Sequence, residues 1–176
     1  MTGYRIRSLD AALDVAAFDC GQPPLDVYIR RYASQDVRRN VARVFVATPE
    51  DNTRRLAGFF TLSAGSVNCA DLPDAFARKL PRYPVPVALI GRLAVDTNFQ
   101  GKGLGSILLA EACKKVANAG ATLAVAGIVV DVKAESVADF YKHFGFLPFP
   151  GRTDRLLLPA SVFMTSKMRN EGCGAG

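Results

Sequence analysis

Three glycines set close together, Gly101, Gly103 and Gly105, are the residues of this chain best suited to chemistry. They alternate with Lys102 and Leu104, follow Gln100 and precede Ser106. Upstream, Ala88 to Val95 is nearly continuous in apolar residues, as a strand buried on both faces would be. Downstream, Leu104, Leu108, Ala112 and Val116 recur every fourth residue, which is one face of a helix. The glycines therefore fall at a strand-to-helix turn. There they let backbone N–H groups approach a ligand, and the helix start adds its positive dipole end. Such a place suits a pyrophosphate; a tight turn with no ligand is the plain alternative.

Two common phosphate loops do not fit. A G-x-G-x-x-G dinucleotide turn needs glycine where Ser106 stands, and the Gly-Lys-Ser/Thr of a Walker loop is absent. Gln100 to Gly105 reads Q-x-x-G-x-G and resembles the acyl-CoA pyrophosphate loop of the GCN5-related N-acetyltransferases (GNAT). A second segment, Phe140-Tyr141-Lys142-His143-Phe144-Gly145-Phe146, is similar to the FYxxxGF that closes that family's motif. The resemblance runs over roughly residues 4 to 158. It implies an α/β (α+β) GNAT fold: a mixed sheet of about six to seven strands, flanked by helices, with two splayed central parallel strands. It implies acetyl-CoA as co-substrate, with backbone groups at Leu93, Ala94 and Val95 along the acyl and pantetheine arm. Gln100, Gly101, Lys102, Gly103, Leu104, Gly105 and Ser106 would hold the pyrophosphate. No metal is implied.

Tyr141 matches the family position whose hydroxyl protonates the departing thiolate, so it is expected both to touch the cofactor and to act as general acid. A phenol with pKa about 10 is a workable proton donor to a thiolate. His143, the only histidine, falls on the side of the helix away from Phe140 and Phe144 and reads as a surface residue. Asp96, Asp131 and Glu135 are base candidates only by location near strand ends, and Asp96 reads better as a turn cap. A lysine amine with pKa about 10.4 would need a base, whereas an α-amine at about 7.7–8 needs one much less. The chain thus suits a weakly basic α-amine.

At 176 residues, 49% hydrophobic, the chain is long enough for one domain with a real core. Residues 1–168 are expected to form a single acetyltransferase domain, and 169–176 a mobile, glycine-rich tail. No uncharged apolar run reaches about 18 residues, so no membrane span is expected. The start, MTGYRIRSLD, is charged and alternating, unlike a signal peptide. Cys20, Cys69, Cys113 and Cys173 lie far apart without metal spacing, which suits reduced thiols in the cytoplasm. The formal charge of +6 favours an anionic partner such as nucleic acid, against the plain alternative of a soluble basic protein.

The periodicities predict a strand at Tyr4–Arg7, a helix from Pro24 to about Asn40, and strands at Val44–Thr48 and Leu56–Val67, the last with Gly58 and Gly65 suggesting bends or bulges. A short helix over Asp71–Lys79 follows, then a proline-rich lead-in to the central strand. After the central helix come a strand at Leu123–Val132, a helix at Lys133–His143, short strands at Phe146–Phe149 and Leu156–Leu158, and a last helix at Ala160–Met168. The first helix carries Leu25, Tyr28, Ile29 and Tyr32 on an apolar face, with Arg30, Arg31, Arg38 and Arg39 as a basic ridge. Arg78, Lys79, Arg82 and Arg92 are further cationic candidates for phosphate contact.

A finer resemblance joins these parts. Phe18-Asp19-Cys20-Gly21 ahead of the basic helix, Ser63 to Val67 (SAGSV) and Pro84 to Asp96 (PVPVALIGRLAVD) are similar to the acetyltransferase toxins of bacterial toxin–antitoxin pairs. That resemblance implies acetylation of the amino acid on charged tRNA and a block of translation. The partners it implies are charged tRNA, a ribbon-helix-helix antitoxin and a second copy in a homodimer. Two other classes remain at this point: an acetyltransferase for a small amine or protein N-terminus, and a non-catalytic CoA-binding module.

Overall fold

The computed structural model describes residues 3–164. The expected helix end at Met168 and the tail at 169–176 lie outside them. The described residues form two compact units, one of 3–63 and 91–112, the other of 64–90 and 113–164.

In the first unit, β1 (Tyr4–Ser8) pairs antiparallel with β2 (Arg43–Pro49), and β2 antiparallel with β3 (Gly58–Val67). The chain between β1 and β2 holds α1 (Pro23–Val27), a π-helical turn (Tyr28–Tyr32) and α2 (Ala33–Arg38). The continuous helix expected from Pro24 to Asn40 is therefore interrupted. The Ala33 N–H reaches back to the Tyr28 carbonyl, five residues away. One residue is inserted into the helical register, so Ala33 turns inward and Tyr32, expected on the apolar face, stands 51% exposed. Asn40 then ends the segment with φ +62. The core joins Phe18, Tyr28, Ile29, Val44, Val46, Leu56 and Phe59. Phe18 meets Phe59 edge-on at 5.5 Å, and Tyr28 stacks on Phe59 at 6.2 Å. Burying each such ring stabilises the unit by about 1.5–3 kcal/mol.

The second unit begins in β4 (Val85–Val95), whose residues 85–90 belong to it, and β5 (Gly127–Asp131). They pair parallel from Ala88↔Ile128 to Ile90↔Val130. β4 runs on for five residues beyond that register to Val95, whereas β5 ends at Asp131, one residue past it. The chain link between them contains α4 (Leu104–Ala119), the helix that a parallel connection demands. β7 (Arg155–Pro159) pairs antiparallel with β5, and β6 (Leu147–Pro148) with β7. In all there are seven strands in the order β1-β2-β3-β4-β5-β7-β6, a mixed sheet as expected. The core of this unit is Val67, Leu72, Val85, Val87, Val129, Phe149 and Leu157. It also holds α3 (Asp74–Ala77), α5 (Glu135–His143) and α6 (Ala160–Phe163).

Several boundaries moved for physical reasons. The strand expected from Leu123 starts only at Gly127, because the Thr122 and Leu123 N–H groups fold back onto the Ala119 carbonyl and continue the helix end; Leu123 is left 65% exposed. The helix expected over Asp71–Lys79 is a 3-10 turn at Cys69–Asp71 plus the single turn of α3, since Pro73 separates them. The strand expected from Leu56 starts only at Gly58, which is the last pair of the β2–β3 register (Ala47↔Gly58). Gly58 is a close approach, where a Cβ would lie 2.9 Å from the Ala94 carbonyl oxygen and 2.9 Å from Leu108 Cδ1.

Candidate active site

The glycine turn is built from Asp96 outward. Asp96 ends β4 and is fully buried. Its Oδ1 accepts the Asn98 N–H at 2.9 Å, capping a 3-10 turn over Thr97–Phe99 as expected. Its Oδ2 accepts the Asp19 N–H at 3.0 Å, and Arg55 Nη2 approaches Oδ1 at 3.4 Å. A buried carboxylate is tolerable only with such a set of donors and a countercharge. Gln100 is exposed, yet its side-chain Nε2 donates to the carbonyls of Val95 at 2.9 Å and Cys20 at 3.1 Å.

After Gln100 the backbone takes the left-handed conformation twice, at Gly101 (φ +75) and Gly103 (φ +84). No atom lies within 4 Å of where a Cβ would sit on either residue. Backbone conformation, rather than space, demands glycine here. The Gly103 carbonyl accepts the Ile107 N–H at 3.2 Å and so begins α4. By helix geometry the N–H groups of Leu104, Gly105 and Ser106 have no acceptor within the helix. Leu104 is buried and anchors the turn, while Gly101, Lys102, Gly103 and Ser106 are exposed. The first unit thus presents free amides at a helix start, an arrangement that binds an anion. Lys102 Nζ reaches the Asn98 carbonyl at 3.4 Å and lies 5.9 Å from the Phe99 ring centroid, close to the turn. On β4, Ala94 is buried, and Leu93 and Val95 are half-buried.

In the second unit, Tyr141 is buried near the end of α5, 5% exposed, edge-on to Phe140 and to Phe146 at 5.2 Å each. Burial drives its hydroxyl pKa well above the ordinary value for a tyrosine, and the neighbouring Cys113 thiol adds to the rise. The phenol therefore keeps its proton at neutral pH. His143 is exposed, as expected.

The basic candidates divide. Arg31, Arg38 and Arg39 are exposed along the first helix, and Arg78, Lys79 and Arg82 are exposed in the second unit. Arg30 donates instead to the Phe18 carbonyl, and Arg92 lies over the Tyr28 ring. Sequence reasoning had no way to see the web joining Asp96 and Gln100 to residues 19 and 20. Its one legible trace was Asp26, a charged residue among the apolar positions of the first helix; it is buried, and its Oδ1 accepts the Cys20 N–H at 2.9 Å. Among the described residues no group of acidic residues, histidines and cysteines is arranged to hold a metal, and Cys20, Cys69 and Cys113 are free thiols.

A mixed sheet whose two parallel strands are linked through a glycine turn and a helix is the architecture of an acetyltransferase fold. The profile of the acetyltransferase (GNAT) family matches residues 11–146, and the chain belongs to that family. It is 39% identical over 147 residues to a tRNA-acetylating toxin of Mycobacterium tuberculosis, covering 83% of this chain and 86% of that protein. Among solved structures it is similar to AtaT complexed with acetyl-methionyl-tRNAfMet: TM-score 0.84, 29% identity, 90% of this chain and 96% of that one. It is also similar to a mutant AtaT toxin bound to acetyl-CoA and the C-terminus of the antitoxin AtaR, with TM-score 0.78, 26% identity, and 91% and 95% of the two chains covered.

Proposed function

We propose that this chain is an acetyl-CoA-dependent N-acetyltransferase toxin that acetylates the α-amine of aminoacyl-tRNA and so blocks translation. The observation that carries the reading is the glycine turn. Two left-handed glycines precede a helix start, a turn of the kind that offers N–H donors to a pyrophosphate, in a chain similar over most of its length to a tRNA-acetylating toxin.

In this reading Gly101, Lys102, Gly103, Leu104, Gly105 and Ser106 bind the pyrophosphate through backbone N–H groups, the Lys102 charge and the Ser106 hydroxyl. Leu93, Ala94 and Val95 run beside the pantetheine and acyl arm. The substrate amine attacks the thioester carbonyl carbon; the new C–N bond forms and the C–S bond breaks. One proton leaves the nitrogen, and one reaches the sulfur from the Tyr141 hydroxyl, which the burial of that side chain keeps loaded. With no dedicated base among the candidates, the weakly basic amine of an aminoacyl ester is the fitting acceptor.

The basic first helix supplies phosphate contacts for tRNA. A cytoplasmic homodimer held in check by a ribbon-helix-helix antitoxin completes the reading. The similarity to AtaT, a toxin solved with an antitoxin segment, supports the antitoxin partner. The test is incubation with acetyl-CoA and total charged tRNA, followed by mass analysis of the aminoacyl species. An acetylated aminoacyl-tRNA is the expected product. Acetylation of polyamines or peptide N-termini alone would overturn the tRNA assignment.

A further inference from the structure

The turn after β4 and the loop ahead of α1 are about eighty residues apart and joined by a ladder of hydrogen bonds. Gln100 Nε2 bridges the carbonyls of Val95, at 2.9 Å, and Cys20, at 3.1 Å. The Cys20 N–H passes the connection on to the buried carboxylate of Asp26 in α1 at 2.9 Å. Beside it, Asp96 Oδ2 accepts the Asp19 N–H at 3.0 Å, while the Thr97 N–H donates to the Asp19 carbonyl at 2.8 Å. Gly21, with φ +84, closes the loop through its N–H to Asp19 Oδ1 at 2.9 Å.

A carboxamide has two N–H donors and one acceptor oxygen. Both carbonyl partners of Gln100 are internal, so its side chain has only an oxygen left, and an oxygen does not attract a pyrophosphate. We infer that Gln100, with Asp96, is a positioning residue: it binds the Asp19–Gly21 loop and the glycine turn into one element, and so holds the cofactor turn in register with the start of the basic helix. The functional half of this inference rests on the reading that the turn binds acetyl-CoA and the helix binds tRNA.

The experiment uses Gln100→Ala and Gln100→Glu in the full chain. Amide hydrogen exchange is read first, because it needs no ligand. In Gln100→Ala the amides of Asp19, Cys20, Gly21 and Thr97 should exchange about fivefold to tenfold faster, as expected when, of the two hydrogen bonds lost, one is the bond that reaches the loop. Amides of β5 should not change. Gln100→Glu sets a carboxylate against two carbonyl oxygens and should raise exchange at least as far; if it does not fold, the alanine variant decides. Equal protection in parent and Gln100→Ala overturns the brace.

The second measurement compares the Kd for acetyl-CoA and the KM for aminoacyl-tRNA. Both should rise together in Gln100→Ala, with thermal stability of the second unit unmoved. A rise in acetyl-CoA Kd alone would overturn the coupling and make Gln100 a local support of the turn. A parent protein that binds no acetyl-CoA would defeat the functional reading, and the exchange result would still decide the brace.

Discussion

The Arg92 guanidinium lies over the Tyr28 ring, its central carbon 3.6 Å from the ring centroid. The Tyr28 hydroxyl donates to Asp36 Oδ2 at 2.9 Å. A charge from β4, a ring from the π-helical turn and a carboxylate from α2 thus form one stack. Burial, then the hydrogen bond and charge of Asp36, push the Tyr28 hydroxyl up to about 12. Half-buried Arg92 holds the first helix in place, and Arg30, though exposed, also donates to the Phe18 carbonyl. Among the described residues, Arg31, Arg38 and Arg39 are the exposed cations of that helix with no side-chain hydrogen bond to the chain, unlike Arg30.

The salt dependence of tRNA binding should follow that division. Removing one cation that pairs with a phosphate lowers the log–log slope by roughly 0.7–0.9. An Arg31→Ala, Arg38→Ala, Arg39→Ala triple variant should bind charged tRNA more weakly, with a slope shallower by roughly 2–3. Arg92→Lys keeps the charge and loses the planar stack. It should destabilise the fold by about 0.5–2 kcal/mol and leave the slope nearly unchanged. A triple variant with the parent's slope would make the ridge a solvated face.

Tyr141→Phe keeps the edge-on packing against Phe140 and Phe146 and removes only the hydroxyl. Fold and acetyl-CoA affinity should hold, while single-turnover acetyl transfer falls about 10²–10⁴-fold. Toxicity on expression should fall with it. A rate within a few-fold of the parent would return Tyr141 to a packing role.

Gly103 separates strain from charge. Its surroundings are open, so Gly103→Ala meets no protein atom and suffers only from the left-handed backbone, at about 1 kcal/mol. Acetyl-CoA affinity should drop modestly. Gly103→Asp adds a negative charge where the pyrophosphate is to sit and should abolish calorimetric binding in a folded protein. Equal affinity of the two variants would show that no anion binds there.

Alkali should unfold the protein through its buried acids. Burial raises the thiols of Cys113 and Cys20 from the ordinary value of 9.0 to about 11. Groups held protonated in the fold contribute stability below the unfolded value, and it is lost as pH climbs through the folded one. The urea midpoint should therefore fall between pH of about 9 and about 11. Cys113→Ser removes one of these titrations and should flatten the decline; an unchanged slope would assign the loss to other groups.

The strand, glycine turn and long helix were legible in the sequence because each is a local pattern. An apolar run marks β4, although only Ala88, Ile90 and Ala94 of residues 88–95 are buried; a repeat of four marks α4, and left-handed turns need glycine. The FYxxxGF segment was legible for the same reason. Tertiary structure decided what depends on partners distant in the chain. No local signal says that the Gln100 amide is consumed by Cys20 and Val95, that Asp96 receives Asp19 and Arg55, or that Arg92 lies on Tyr28. The π-helical turn was hidden as well, because a helix with apolar residues at Tyr28, Ile29 and Tyr32 reads as regular. Packing Tyr28, Ile29 and Ala33 into one core is what shifts the register and turns Tyr32 outward. Charge and periodicity are properties of the chain, whereas the choice of which charges stay free belongs to the packed core.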